Sequence, residues 1–167
     1  MDFSLLNWTQ LISHLTSISI SYLLTFPIAW DREQRARSAG LRTFPLVAVA
    51  SCSYILLARS VFGDSPESQA RVIEGLLAGM GFIGGGAILK NRVSVHGTAT
   101  AASIWNTGAI GVAVAYRHYE IAIILSLLNL ITLRWLTPLK RKAKEQADEE
   151  SSQAGLDPQL KEQPPLD

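Results

Sequence analysis

The residues able to do chemistry are few, and they sit near the ends of long apolar runs. Asp31, Arg32 and Glu33 follow Pro27 at the close of the first run, and Arg42 precedes the second. A carboxylate in that position can be held by Arg42, or it can bind a hard cation such as magnesium through oxygen, so Asp31 is the metal-ligating candidate. Arg59 and Glu74 fall at comparable depth on consecutive runs, where an ion pair would lower the penalty of burying either. A third set, Gln10, His14, Ser17, Ser21 and Thr25, recurs at helical spacing and forms one polar stripe. That stripe can line a pathway or ligand groove, or it can supply hydrogen bonds between helices. His14 can titrate but has no metal-binding neighbour, because His96 and His118 fall in loops expected on opposite faces.

Several chemistries are excluded. Cys52 is the single cysteine, so one chain builds neither a disulfide nor a cysteine-based metal site. Gly79-Met80-Gly81-Phe82-Ile83-Gly84 matches a dinucleotide fingerprint in letters, but no strand–helix–strand unit surrounds it, and Ala87 stands where a phosphate loop needs lysine. No Ser/His/Asp or paired-carboxylate arrangement supports an enzyme, and no cofactor is called for. The glycines read instead as helix packing. Gly75 with Gly79, and Gly81 with Gly85, are small-xxx-small pairs, and Ala102, Asn106, Ala109 and Ala113 share a face of the next run. The same glycine density also permits local unwinding, which would present backbone carbonyls to a cation.

The elements that must position these residues are membrane spans. Of the 167 residues 48% are hydrophobic and 17% charged, too apolar for an ordinary soluble domain. The charges cluster in short stretches between runs near the roughly 17–25 residues a bilayer demands. These runs are Thr9 to Trp30, Phe44 to Phe62, Val72 to Leu89, Thr98 to Tyr116 and Ile121 to Thr137. The expected fold is therefore all-α, a polytopic membrane bundle of about five transmembrane helices. The third and fourth runs can alternatively form a re-entrant hairpin, being short and rich in Gly and Ala. Met1 to Trp8 carries no basic residue and no small-residue cleavage site follows the first run, which argues against a cleaved signal peptide.

Orientation follows from basic residues in short loops. Arg32, Arg35, Arg37 and Arg42, then Lys90 and Arg92, then Lys140, Arg141, Lys142 and Lys144 lie on one side of five spans. The other side has Arg59, Arg71 and Arg117. The amino terminus is expected outside and the carboxyl terminus in the cytoplasm. Asp31 would then lie at the cytoplasmic edge within reach of water, and Glu74 inside the third span. Residues 138–167 pass from a basic run into Glu, Ser, Gln and Pro, and are expected to form a disordered tail. With Lys+Arg 15 against Asp+Glu 14, net charge +1, no nucleic-acid partner is implied.

Together these residues resemble the MgtC/SapB family of bacterial inner-membrane proteins, in a short form without the C-terminal cytoplasmic domain. The resemblance rests on Ala39-Gly40-Leu41-Arg42-Thr43, on Arg71 through Leu89 with its glycine cluster, and on Thr100 to Trp105 followed by Gly108 to Gly111. Asp31-Arg32-Glu33 matches the acidic position before the first loop, with Asp where Glu is usual. Phe44 and Thr98-Ala99 depart from the family pattern. The resemblance implies adaptation to low magnesium and, in pathogens, survival inside host cells, through regulation of other membrane proteins. The expected activity is accordingly modulation of a membrane partner, with a homo-oligomer possible in principle. The alternative is a small oligomeric channel or transporter for divalent cations, built around the His14 stripe and Asp31.

Overall fold

Helices occupy the apolar runs. The computed structural model describes residues 7–35, 39–63, 65–90 and 95–136. The basic segment 140–144 and the rest of the expected tail lie outside the described residues. Helix α1 is Trp8–Arg35, α2 Thr43–Phe62, α3 Pro66–Gly86, α4 Thr98–Ala115 and α5 Tyr119–Ile131. A two-residue antiparallel ladder, β1 Leu89–Lys90 with β2 Val95–His96, joins α3 to α4. The chain divides into the units Met1–Ile131 and Thr132–Asp167. Of the second unit the described part is the π-helical turn Thr132–Leu136.

Local chemistry sets the helix ends. Asn7 Oδ1 accepts the Gln10 N–H at 3.2 Å at the start of α1. Pro27 lies inside α1, where it removes one backbone donor without ending the helix. Ser65 caps α3 by accepting the Ser68 N–H at 3.4 Å, with Pro66 at the first helical position. Gly97, at φ 88°, turns the chain from β2 into α4, and an added Cβ there would also overlap the Ala87 carbonyl.

Helices α1 and α2 are each long and apolar enough to cross a membrane by length and composition. Helix α5, with 13 residues, covers about 20 Å, less than the roughly 30 Å hydrocarbon core. The expected fifth run to Thr137 is thus α-helical only as far as Ile131.

Helix α4 is the centre and packs on all four others, whereas α3 packs mainly on α2 and α4. Ten α4 residues are buried, including Ile104, Gly108, Ile110, Gly111 and Val114. Facing them are Ile28 of α1 and Phe44, Ala48, Cys52 and Ile55 of α2, all fully buried. In lipid the apolar side chains gain little by leaving their solvent, so close van der Waals contact has to hold such a bundle. The contact is close at α4: a Cβ on Gly111 would overlap the Ala48 carbonyl, and one on Gly108 would overlap the Met80 sulfur.

This corrects the expected packing of α3. Cβ atoms added at Gly75, Gly79, Gly81 or Gly85 would meet nothing within 4 Å. The buried residues of α3 are Met80 and Gly84, and a Cβ on Gly84 would sit 3.4 Å from the Ala101 carbonyl. Since each helical residue turns about 100°, the packed stripe is displaced from the one read between Gly81 and Gly85. On α4, Ala102 is exposed and Asn106 turns to α5, donating to the Leu125 carbonyl at 3.2 Å.

Candidate functional site

The polar residues gather at one end of the bundle and along a seam leading inward from it. The last turns of α1 bury Asp31 and Arg32, each 7% exposed, and leave Glu33 at the surface. Arg32 Nη2 donates to Thr100 Oγ1 at 2.8 Å, and Thr100 is itself buried in the first turn of α4. A guanidinium needs such acceptors in a buried place, where an unsatisfied charged donor is costly. Glu33 Oε2 accepts the Leu41 N–H at 2.9 Å, which fastens the loop after α1 to its last turn. A Cβ at position 40 would overlap that carboxylate, so glycine there leaves room for the Glu33 side chain to reach the Leu41 N–H.

Below this layer the seam continues between α4 and α5. Ser103 Oγ donates to Asn129 Oδ1 at 2.9 Å, Thr107 Oγ1 donates to the Ser103 carbonyl at 2.7 Å, and Ser126 Oγ donates to the Leu24 carbonyl at 2.6 Å. These bonds join α1, α4 and α5. The first-run stripe bonds mainly to its own helix, with Ser21 also against Cys52 of α2. Ser17, Ser21 and Thr25 are buried, but their hydroxyls donate to carbonyls of their own helix, at Ser13, Ile18 and Ser21 respectively. Back-bonding of this kind satisfies a hydroxyl without crossing to a neighbour. His14 is half-buried and Gln10 exposed, so the stripe reaches the surface at its amino-terminal end.

The expected partners separate. Arg59 Nη1 donates to the Ala115 carbonyl at 3.2 Å, and its guanidinium lies 5.8 Å from the centre of the Tyr116 ring. Glu74 is exposed, and Arg59 does not pair with it. Asp31 is buried and Glu74 exposed, so the expected contrast between the two acids is inverted in burial. Arg42 is exposed on the α2 side and, among the described residues, makes no hydrogen bond or ion pair. Beyond α4, His118 Nδ1 approaches Glu120 Oε1 at 3.1 Å. The Glu120 carboxyl is held below the usual carboxylate range by its own backbone N–H and then by His118.

Hard cations take six or more oxygens, and among the described residues no three His, Cys, Asp or Glu side chains group together. Asp31 is also followed by a buried guanidinium, whose charge opposes a cation there. Sequence reasoning passed over Thr100 and Asn129 as partners. Asn129 had a readable signal, since an amide within an apolar run has to find a partner.

Two of these helices are long and apolar enough to cross a membrane, and large apolar side chains such as Leu23, Leu57 and Phe82 lie on the outside of the bundle, as in a membrane protein. The MgtC family profile matches residues 18–142, and the chain belongs to that family. It is 32% identical to Protein SrpB of Synechococcus elongatus over 136 residues, 74% of this chain and 75% of that one. To Protein MgtC of Brucella abortus it is 38% identical over 105 residues, 63% of this chain and 43% of that one. To the Putative magnesium transporter YhiD of Escherichia coli it is 33% identical over 112 residues, 64% of this chain and 52% of that one. The chain thus spans about half the length of the last two. No solved structure matches.

Proposed function

We propose that this chain is a non-enzymatic, multi-pass protein of the bacterial inner membrane that modulates a membrane partner and supports growth at low magnesium. The magnesium connection comes from relatives, one of them named a putative magnesium transporter. The observation that carries the modulator reading is the use made of the bundle's buried hydroxyls and amides. Ser17, Ser21, Thr25 and Thr107 are committed to carbonyls of their own helices, and Ser103 with Asn129 to a bond between α4 and α5. A conducting path would need such groups turned toward an aqueous lumen. The basic loops support an amino terminus outside and a carboxyl terminus in the cytoplasm.

A transporter reading is favoured by the name of the E. coli relative alone. Liposomes containing this protein and no other separate the two. A modulator leaves a magnesium-sensitive dye in the lumen unchanged, and protein-dependent magnesium entry would overturn the modulator reading. Orientation is tested by cysteine labelling in a Cys52→Ser background: a probe at Ser65 should react from outside and one at Ser38 from inside.

A further inference from the structure

The glycines of α3 that touch no neighbour border a groove. It has a volume of about 790 Å³ and runs between α2 and α3, lined by Arg42, Ala50, Tyr54, Gly75, Gly79 and Ile83 among others. Its wall is apolar apart from Arg42 at one end and the hydroxyls of Thr43, Ser51 and Tyr54. The groove exists because positions 75 and 79 carry no side chain, so α3 leaves room where a larger residue would fill it.

Three observations identify an occupant. The groove runs along α2 from Arg42 to Tyr54, a rise of about 18 Å, close to the roughly 15 Å depth of one hydrocarbon leaflet. Its one charged lining residue is a guanidinium, exposed and without a hydrogen bond or ion pair among the described residues. That cation stands at the end of α2 which the basic-loop bias places at the cytoplasmic surface, where anionic lipid headgroups lie. We infer that the α2–α3 groove is a binding site for one anionic phospholipid of the inner leaflet, with an acyl chain along Gly75 and Gly79 and its phosphate on Arg42. Guanidinium and phosphate are matched in charge and can form two parallel N–H···O bonds. The choice of leaflet rests on the orientation proposed above. The lipid site itself does not, because binding in a micelle has no sidedness.

The test is native mass spectrometry of the full chain in detergent, with phosphatidylglycerol or phosphatidylcholine of matched acyl chains added. Phosphatidylglycerol should be retained about fivefold more than phosphatidylcholine, the effect of one basic residue at a headgroup. Arg42→Gln should bring the two lipids level. Gly79→Leu and Gly75→Leu, which fill the groove from positions with open space, should lose both lipids. Gly81→Leu, away from the groove, should keep the preference. Equal retention of the two lipids by the unaltered chain would overturn the proposal. So would retention by both groove-filled variants equal to that of Gly81→Leu, or a lipid-free dimer that either groove-filled variant dissociates. Should the labelling experiment reverse the orientation while the lipid preference holds, the site stands and its leaflet changes.

Discussion

Helices α3 and α4 are alike in composition, both rich in Gly and Ala, and similar in length at 21 and 18 residues. They differ in what their glycines touch. Gly108 and Gly111 on α4 are filled from outside by Met80 and by the backbone at Ala48, whereas Gly75, Gly79, Gly81 and Gly85 on α3 face open space. A small residue therefore permits a close approach without enforcing one. What decides the outcome is the rotational phase of the helix, which α4 has no freedom to choose because it is enclosed on most sides.

The largest expected effect breaks that contrast directly. Gly111→Val forces a side chain into the Ala48 carbonyl, which cannot swing aside as a side chain can, and should cost more than about 4 kcal/mol, enough to abolish folded protein in detergent. Gly79→Ala should do the reverse and raise the melting temperature, since alanine favours helix over glycine by up to about 1 kcal/mol and no neighbour opposes it. Equal destabilisation by both changes would dissolve the distinction between the two helices.

Next in size is the joint between α1 and α4. Thr100→Val keeps the shape but removes one acceptor of Arg32, and a loss of about 1.5–3 kcal/mol is expected for a hydrogen bond to a charged group. Asn129→Leu should cost less, about 0.6–1.7 kcal/mol, the range of polar contacts within membrane bundles. Chemical unfolding in mixed micelles ranks the two.

Smaller still is the response of α3 to a lost charge. Glu74→Gln should alter stability by less than about 0.5 kcal/mol, and its effect should add to that of Arg59→Gln without coupling. A coupling of about 1 kcal/mol or more, the scale of paired buried groups, would restore the ion pair that the geometry does not show. Least of all is Glu120. Its carboxyl is held low in the folded chain, so its contribution is complete above the usual carboxylate pKa near ~4.3 and disappears as pH falls through the lowered value. Being exposed, it contributes little: the melting temperature of Glu120→Gln should lie slightly below the parent's at neutral pH, and the difference should close in acid.

The sequence made the helices legible, because charges bracket each apolar run and Ser65-Pro66 announces the start of α3. The site was legible only in part. Asp31, Arg32 and Glu33 stand out by charge, but the partner of Arg32 lies 68 residues further on, and nothing local to Thr100 marks it as an acceptor. Burial at Asp31 and Glu74 is illegible for the same reason: depth along a helix is read from residue count, while the side that faces the core depends on neighbours far away in the chain. The serine and threonine stripe of α1 showed a polar face, yet the pattern is identical whether the hydroxyls bond across helices or back to their own.

That α1 and α2, among the described residues, are the helices with the length and apolarity of an autonomous span bears on how the chain is made. Synthesis delivers them first, so a two-helix platform can settle in the bilayer before the rest emerges. Helix α3, with Glu74 and six glycines, buries Met80 and Gly84, and both meet α4, so its retention depends on that helix. The middle of the chain is then committed to the membrane as a pair, and the enclosed helix acts in biogenesis as the keystone set last.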